Sequence, residues 1–385
     1  MSGPLRILHC HSTFSLGGKE ARAVRLMNAF GGAARHTVLS AMPNQLGARA
    51  AIDKDIWAEF PVEGRAPALH GLPGPSRYVA LARYMQNFDL VLSYNWGAMD
   101  AVMAHRLLSP FLPLPPLIHH EDGFNADEAD GLSWKRNAFR RAALPTARAV
   151  VVPSFVLERT AKAAWGERLP VRRISNGIAV ARYAKPEAGA IPGFEQREGE
   201  VVVGTIAGLR AVKDLPLLVE ALALTPPHVR LVIVGEGPER EAIAATAERL
   251  GVADRLTMPG FLAEPYRYVG LFDIMALSSL SEQQPIAVME AMAAGLPVVA
   301  PPVGDVAAMV AGDNAPFIVG RSAAALAEAI ATLAGDRALR RRIGKANGAK
   351  AKADYDETVM IAAYADLYGD VAGHPLHPRT VAGRS

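Results

Sequence analysis

Short apolar runs alternate with amphipathic stretches along the first half of the chain. The runs LRILHC at 5–10 and DLVLSY at 89–94 have the length and composition of buried strands, whereas 17–30 has the spacing of an amphipathic helix. Further strand-like runs in this half are HTVLSA, PLIHH, RAVVVPS and VRRIS. Strands that alternate with helices predict an α/β fold with a doubly wound parallel sheet.

The same pattern begins again after residue 200. Strands are predicted for VVVGTIAG, VRLVIVGEG, RLTMPGF, FDIMALSS, PVVAPP and APFIVG, with helices between them. The segment 183–200 contains Pro, Gly and charged residues without periodicity, which predicts a linker. We therefore expect two Rossmann-like domains, at 1–182 and 201–355, that face a cleft at the carboxyl ends of their strands.

Two further features are expected beyond the second domain. Residues 356–370 have the pattern of one more amphipathic helix. Residues 371–385 are rich in Pro and Gly close to the end of the sequence, which predicts a loose tail.

The composition excludes several classes of protein. Hydrophobic residues make up 50% of the 385 positions, enough for two cores, and Cys10 is the single cysteine, which excludes an internal disulfide and fits a reducing compartment. No apolar run reaches the roughly 18–20 residues of a membrane span, and the N-terminus makes a poor signal peptide. We therefore expect a cytoplasmic protein.

Charge is divided unevenly along the chain. Residues 1–180 carry 21 Lys and Arg against 14 Asp and Glu, a net +7, whereas the remainder is −4. A basic first half, with basic pairs beside aromatic residues in SWKRNAFRRAAL, indicates an anionic partner such as a phospholipid surface or a lipid pyrophosphate. Arginine-rich helices that simply face solvent are the alternative, and the sequence leaves both open.

Two carboxylates organise the most informative stretch, from Ser278 to Val303. Pro285 suits the first turn of a helix, and Gly295 suits its end, so we expect a helix at 285–294. Glu282 then lies in the loop before the helix and Glu290 in its second turn, where both can accept hydrogen bonds from sugar or ribose hydroxyls. Two solvated surface glutamates are the alternative reading.

This stretch resembles the E-x7-E signature of the retaining family-four glycosyltransferases, the glycosyl transferases of group 1. The match comprises Glu282 and the run Glu290-Ala-Met-Ala-Ala-Gly-Leu-Pro-Val-Val. The resemblance implies the GT-B fold, with the last helix crossing back onto the first domain, the donor mainly on the second domain and the acceptor mainly on the first. The chain departs from the family at Gln283-Gln284-Pro285, where Gly-Phe-Gly is usual and backbone amides contact the donor sugar.

The stretch Ala207-Gly-Leu-Arg-Ala-Val-Lys213 resembles the family pattern G-R-L-x-x-x-K, whose cations hold the donor phosphates. Lys213 matches the family lysine, but Gly208 stands where the family has arginine, and Arg210 is the candidate to replace it. Losing one such charge-assisted contact costs about 1.5–3 kcal/mol. The resemblance implies that Glu290 binds the ribose and Glu282 the donor sugar. Lys213, Arg210 and the amide of Gly18 would stabilise the leaving diphosphate.

Other loops contribute to the implied site. Gly17-Gly18 follows the first strand, as in the family's G-G-x-E loop, and His119 ends a strand as the family histidine does near the donor sugar. A metal at His119 is disfavoured because the adjacent His120 points to the opposite face of the strand. The expected catalytic residues are His119, Arg210, Lys213 and Glu282. The expected donor-binding residues are Gly17, Gly18, Asn176, Gly208, Gly235, Gly260, Phe261, Gln283, Gln284, Pro285, Ile286 and Glu290.

The sequence therefore predicts a retaining, metal-independent hexosyltransferase without a resident cofactor. Its donor is expected to be a UDP-sugar. Its acceptor is expected to be a glycolipid or lipid-linked or polysaccharide glycan, as in exopolysaccharide synthesis, reached at the inner face of the cell membrane; no nucleic acid is expected as a partner. Two alternatives stay open: a non-catalytic sugar-nucleotide-binding subunit, supported by the departures at Gly208 and Gln283-Gln284, and a nucleotide-sugar 2-epimerase. An NAD-dependent oxidoreductase would need a glycine fingerprint after the first strand and an acidic residue after the second, and neither is clear in this sequence.

Overall fold

The structure is a computed structural model that describes residues 3–15, 17–62, 64–71, 74–123 and 133–379. The chain forms two compact units, of which the first comprises Met1–Ser175 with Met360–Ser385 and the second Asn176–Val359. Each unit has its own parallel sheet and its own buried apolar clusters.

The first unit is built on a sheet of seven parallel strands within the described residues. These strands are β1 (Leu5–His11), β2 (Ala34–Ser40), β3 (Ala58–Glu59), β4 (Leu90–Tyr94), β5 (Leu117–His120), β6 (Ala149–Val152) and β7 (Val171–Arg173). The helices that connect them are α1 (Gly18–Phe30), α2 (Pro75–Met85), α3 (Met99–Leu108), α4 (Trp134–Ala143) and α5 (Phe155–Trp165). The spatial order is β3-β2-β1-β4-β5-β6-β7, so the chain reverses its direction of travel across the sheet between β1 and β4.

The second unit repeats this plan with five parallel strands in the part that is described. Its strands are β8 (Val201–Ile206), β9 (Val229–Val234), β10 (Leu256–Gly260), β11 (Ile274–Ala276) and β12 (Val298–Val299). Its helices, with the last helix of the chain, are α6 (Leu215–Ala223), α7 (Arg240–Arg249), α8 (Ile286–Ala293), α9 (Val306–Met309), α10 (Ala323–Gly335), α11 (Arg337–Asp354) and α12 (Glu357–Ala372). The order β10-β9-β8-β11-β12 puts the reversal between β8 and β11, and the predicted doubly wound sheets are confirmed.

The central strands are buried along most of their length because helices cover both faces of each sheet. Every residue of β4 is buried, and so are Val201–Thr205 of β8. This continuous burial is typical of parallel sheets and explains why the strands were visible in the sequence as unbroken apolar runs.

One predicted strand, APFIVG at 315–320, is wrong. Residues Gly312–Phe317 form a 3₁₀ helix, and only Ile318 makes a bridge to the sheet, at Ala300. The side chain of Asn314 takes the place of a neighbouring strand, because it accepts a hydrogen bond from the N–H of Val298 (2.8 Å) and donates one to its C=O (2.7 Å). The polar groups at this edge of β12 are therefore satisfied without a strand.

The segment 183–200, predicted to be a linker, is packed into the second unit. Tyr183, Ile191 and Phe194 are buried in the same apolar cluster as Met289 of α8. A few apolar residues among the prolines and glycines are enough to anchor the segment, because each buries a large side chain.

The last helix returns to the first unit, as the resemblance implied. From Met360 onward α12 belongs to that unit, whose core includes Ile361, Tyr364 and Tyr368. The segment after it was predicted to be loose but is packed as far as Arg379, whose guanidinium donates to Asp55 (2.6 Å). Leu376 is buried in the same core; residues 380–385 of the predicted tail lie outside the described residues.

Buried histidines and tyrosines link α12 to the sheet. His36 on β2 hydrogen-bonds His9 on β1 (3.0 Å), and His9 hydrogen-bonds the hydroxyl of Tyr94 on β4 (3.2 Å). The Tyr94 ring stacks on that of His120, whose Nε2 hydrogen-bonds the hydroxyl of Tyr368 on α12 at 2.8 Å. These interactions connect four strands of the sheet, β2, β1, β4 and β5, with the helix that crosses back.

Removal of the Tyr368 hydroxyl should therefore destabilise the first unit. In Tyr368→Phe the buried Nε2 of His120 loses its partner, which should lower the free energy of unfolding by about 1–3 kcal/mol. Tyr364→Phe is the matched control on the same helix, because the buried Tyr364 hydroxyl has no hydrogen-bond partner among the described residues. Urea denaturation that gave equal midpoints for the two variants would contradict the role of Tyr368.

These histidines, together with the buried His11 on β1, should make the protein sensitive to acid. Burial lowers the pKa of His9, His11 and His120 well below the ordinary 6.5 and that of His36 to about 3. The unfolded chain therefore binds more protons, so this stabilisation is fully present above about pH 6.5 and is lost as the pH falls toward the folded-state values. Each such histidine should cost about 1.4 kcal/mol between pH 7.5 and 5.5. A urea midpoint that does not fall over this range would contradict the prediction.

Candidate functional site

The two loops at the reversal point of the second sheet are bound to each other. The first follows β8 and contains Arg210 to Lys213, and the second follows β11 and contains Ser278 to Pro285. The N–H of Leu280 donates to the C=O of Val212 (2.8 Å), and the Ser278 hydroxyl donates to the C=O of Lys213 (3.0 Å). Ligands of open α/β sheets bind at the carboxyl ends of strands at such a reversal point.

An ion pair between Lys213 and Glu282 lies at this point. The ammonium group of Lys213 donates to Oε1 of Glu282 at 2.5 Å, and the hydroxyl of Ser279 donates to the same oxygen at 2.7 Å. The Glu282 side chain is only 9% exposed. Both bonds go to Oε1, so Oε2 has no hydrogen bond from the described part of the chain. The fold thus joins two predicted site residues that are 69 positions apart.

The side chain of Arg210 folds back over Gly208. A Cβ at Gly208 would lie 3.3 Å from Nε and 3.7 Å from Nη2 of Arg210, and the N–H of Arg210 donates to the C=O of Gly208 (2.8 Å). The guanidinium is exposed and makes no hydrogen bond or ion pair with any described residue. Arg210 therefore occupies the space in which a side chain at position 208 would begin.

Glycines bring the backbones of the neighbouring strand ends close together. Gly235 has φ +147°, and a Cβ there would overlap the carbonyl oxygen of Ala207, while its N–H donates to the C=O of Gly260 at 2.9 Å. Phe261 follows with 74% of its side chain exposed. The ends of β8, β9 and β10 thus form a compact surface with an exposed aromatic ring beside it.

Helix α8 begins at Ile286, with Pro285 as its N-cap rather than as its first residue, and ends at Ala293 before Gly295 at φ +73°. Glu290 is buried in its second turn and accepts a hydrogen bond of 2.9 Å from the hydroxyl of Tyr183. Burial, and then the charge of Glu290, raise the pKa of Tyr268 above its ordinary value. The two carboxylates of the E-x7-E signature therefore have different partners.

The chain at Asn176 is fastened to the loop before α8. The backbone N–H of Asn176 donates to the side-chain oxygen of Gln284 at 2.9 Å. The sequence assigned both residues to donor binding, but this bond gives Gln284 a structural role in holding the loop. The neighbouring Gln283 has no such bond to the described residues.

In the glycine loop at Gly17-Gly18, the carboxylate of Glu20 lies at the start of α1. Gly17 is the N-cap of α1, and Glu20 in the first turn is buried with Oε2 2.7 Å from where a Cβ of Gly17 would lie. Lys19 donates to the hydroxyl of Ser12 (3.1 Å). The positive end of α1 thus already faces an acidic group, which reduces its attraction for the phosphate expected at Gly18. Leu16 of this loop lies outside the described residues.

His119 lies in the interior of the first unit. Its side chain is fully buried, its Nδ1 hydrogen-bonds the hydroxyl of Ser93 (2.9 Å), and its Nε2 lies 3.8 Å from Oε2 of the buried Glu121. The guanidinium of Arg140, which lies 3.5 Å from Glu121, is also buried. His119 therefore belongs to a buried polar cluster in this structure, whereas the sequence predicted it beside the donor sugar.

The sequence did not point to several residues that the fold makes prominent. Arg22 on α1 donates two hydrogen bonds to Asp122 after β5, one of 2.7 Å to Oδ2, across 100 positions. Tyr183 and Ser279 hold the two signature glutamates. Arg22 and Tyr183 have no local sequence signal, because their partners lie 100 and 107 positions away and become neighbours only through the fold.

No group of three or more His, Cys, Asp or Glu side chains in the described part of the chain is arranged to hold a metal ion. No helix within the described ranges has both the length and the hydropathy to cross a bilayer.

Comparison with known proteins agrees with this geometry. The family model described as "Glycosyl transferases group 1" matches residues 191–350. A GDP-mannose-dependent alpha-(1-6)-phosphatidylinositol monomannoside mannosyltransferase of Mycobacterium tuberculosis is 29% identical over 379 residues, which cover 92% of this chain and 96% of the relative. A D-inositol 3-phosphate glycosyltransferase of Segniliparus rotundus is 39% identical over 140 residues, which cover 33% of this chain and only 29% of that relative.

Solved structures share the fold. The crystal structure of Anabaena Alr3699/HepE in complex with UDP matches with a TM-score of 0.78 and 22% identity, over 95% of this chain and 100% of that chain. The resemblance inferred from the E-x7-E signature is confirmed. Residues 191–350 therefore match the glycosyl transferases of group 1, and the two parallel-sheet units of the chain have the GT-B fold.

Proposed function

We propose that the chain moves a sugar from a nucleotide-diphosphate sugar, a UDP-sugar in the first instance, to a lipid-linked or polysaccharide acceptor with retention of configuration. The observation that carries the proposal is the Lys213–Glu282 pair at the strand reversal, with the guanidinium of Arg210 nearby. Cations suit a diphosphate, and a carboxylate that can accept hydrogen bonds suits sugar hydroxyls.

Lys213 and Arg210 would supply the charge that the reaction needs. When the bond to the sugar breaks, negative charge grows on the diphosphate, and preorganised cations stabilise it most at that moment. Lys213 is paired with Glu282, so donor binding would divide the ammonium between the carboxylate and the phosphate. Arg210 makes no competing hydrogen bond or ion pair with the described residues, so its guanidinium can bind a phosphate without first giving up a partner. In this proposal Lys213 and Arg210 stabilise the negative charge of the leaving diphosphate, a task that a metal ion performs in other enzymes.

The nucleoside would bind beside them. Glu290 is proposed to bind the ribose through the carboxylate that Tyr183 orients, and the surface of Gly235, Gly260 and Phe261 would hold the base. HepE was crystallised with UDP and with UDP-glucose, which supports uracil as the first choice. The M. tuberculosis relative is named as dependent on GDP-mannose, so guanine is the alternative to test.

The acceptor is proposed from the charge of the first unit. Residues 1–180 have a net charge of +7, and Trp134, 75% exposed, stands beside Lys135 at the start of α4. A basic surface with an exposed aromatic ring suits an anionic lipid headgroup, and with it a peripheral position at the inner membrane face. Retention is proposed on the E-x7-E signature.

Nucleotide binding can be tested by thermal stability with UDP, GDP, ADP and NAD. A ligand at 100 times its Kd should add about 2.7 kcal/mol to the free energy of unfolding. We expect UDP to raise the melting temperature of the wild type and Glu290→Gln to abolish most of this shift. No shift with any diphosphate, or a shift with NAD alone, would contradict the proposal.

The relocated arginine can be tested by a swap. Arg210→Ala should weaken UDP binding about tenfold or more, the value for one charge-assisted contact. Gly208→Arg in the Arg210→Ala background should restore part of the affinity, because the three atoms nearest to a Cβ at Gly208 all belong to Arg210. Arg249→Ala, on the remote surface of α7, is the control. Calorimetry that found no loss in Arg210→Ala would remove Arg210 from the site.

A further inference from the structure

Helix α11 concentrates the positive charge of the second unit. Residues Asn176–Val359 contain 18 Lys and Arg against 22 Asp and Glu, a net charge of −4. Seven of these cations lie in the 16 residues 337–352, which contain no acidic residue, so the rest of the unit has 11 cations against 22 acids, a net −11. The seven are Arg337, Arg340, Arg341, Arg342, Lys345, Lys350 and Lys352.

Four of these cations form a row along the exposed flank of the helix, the basic stripe, which comprises Arg337, Arg341, Lys345 and Lys352. Their spacings of four, four and seven residues place them on one side of the helix over about 22 Å. All four are exposed, and none makes a hydrogen bond or an ion pair with a described residue. The other three cations pair with carboxylates, as Arg340–Asp273, Arg342–Asp313 and Lys350–Asp354.

The basic stripe is unfavourable for the helix itself. Asp336 caps α11, but Arg337 lies in its first turn, at the positive end of the helix dipole, and no acidic residue lies in that turn. Cations four residues apart also repel each other, as Arg341 and Lys345 do. Both effects destabilise the helix, so the stripe needs a reason other than the stability of α11.

The opposite face of α11 fixes the stripe in position. Asn347 and Ala351 are buried, and the Asn347 side chain donates to the C=O of Leu296 at 2.9 Å. A Cβ at Gly344 would overlap the carbonyl oxygen of Gly295, so the helix packs directly against the backbone that follows α8. The stripe is therefore a preformed, linear row of cations.

A flat anionic surface fits this row better than a small anion or a nucleic acid. A small anion needs cations that converge, whereas these extend along the helix. A helix that reads duplex DNA enters a groove, which α11 cannot do because its other face is packed in the unit. Binding of single strands uses aromatic side chains, and residues 337–354 contain none. Lipid headgroups present a plane of negative charge that attracts each nearby Lys or Arg.

We propose that the basic stripe of α11 binds the anionic phospholipid headgroups of a membrane surface. The same surface repels the net −11 of the rest of the unit, so attraction and repulsion together turn α11 toward the membrane. No large apolar side chain of α11 is exposed, so the contact is electrostatic and reversible, without insertion into the bilayer. This site is additional to the surface at Trp134 in the first unit, and it does not depend on the identity of the donor.

The test is sedimentation of the full chain with vesicles of phosphatidylcholine alone, or of phosphatidylcholine and phosphatidylglycerol in equal parts. Arg341→Gln/Lys345→Gln/Lys352→Gln removes three cations of the stripe. We expect the wild type to bind the mixed vesicles and not the neutral ones. The triple variant should bind the mixed vesicles about 100-fold more weakly, because each cation near an anionic surface contributes about fivefold. Added salt should release the wild type.

Lys185→Gln/Arg197→Gln/Arg249→Gln is the matched control. It removes three exposed cations of the same unit outside α11 and changes the net charge equally, from +3 to 0. The control should bind the mixed vesicles like the wild type. The stripe variant should melt at or above the wild-type temperature, because it relieves the repulsion between neighbouring cations, and its Kd for UDP should be unchanged.

Three kinds of result would overturn the assignment to lipid. The wild type might fail to sediment with the mixed vesicles, or the two triple variants could lose binding equally; in either case α11 is not a lipid-binding surface. If the stripe variant binds normally and Trp134→Ala/Lys135→Gln does not, the contact belongs to the first unit alone. If the wild type binds an oligonucleotide more tightly than the mixed vesicles, the stripe belongs to a nucleic acid. The proposed function stands in each case, since UDP binding is measured separately.

Discussion

The ion pair between Lys213 and Glu282 depends on the order of strands in the second sheet. Because β8 and β11 are neighbours at the point where the chain reverses its direction across the sheet, the loops that follow them emerge side by side. Two backbone-directed bonds, from Leu280 to Val212 and from Ser278 to Lys213, then hold those loops together. With the loops held in this way, an ammonium and a carboxylate meet at a solvent-accessible edge, where a partly exposed pair can exchange partners at modest cost.

Around this pair the glycines determine how close the backbone can come. Gly235 allows the end of β9 to touch Ala207, and Gly304 allows its own turn to touch the loop of Glu282. A side chain at either position would collide with backbone, and both glycines have positive φ values, so no other residue fits without strain. Gly208 is different, because the atoms that a Cβ there would meet belong to Arg210. A side chain at position 208 would compete for space with the side chain of Arg210, which lies over Gly208.

In the first unit, the main feature is the attachment of α12, which comes from the far end of the chain. Apolar residues of α12 such as Ile361 join its core, and Tyr368 adds a hydrogen bond to the buried His120. Buried imidazoles remain neutral because desolvation disfavours their charged form, which makes this attachment strong near neutral pH and weaker in acid. His119 and Glu121 form a separate buried polar cluster with Ser93 and Arg140 in the same unit, so residues with the chemistry of a site occur there away from solvent.

The sequence by itself determined the elements that local physics controls: the apolar strands, the helices between them, the second parallel sheet and the E-x7-E signature with Lys213. It could not determine contacts between residues far apart in the chain, such as Arg22 with Asp122 or Tyr183 with Glu290, because these depend on which strands become neighbours. It also misjudged segments whose backbone is satisfied in an unusual way. Asn314 replaces a strand with its side chain, and the segments 183–200 and 373–379 pack through a few apolar or charged anchors. Gln283 and Gln284 are the same residue type at adjacent positions, so the sequence could not tell them apart. Only the tertiary structure decided that the Gln284 side chain accepts a hydrogen bond that holds the loop, whereas the Gln283 oxygen has no partner in the described chain, because their surroundings differ.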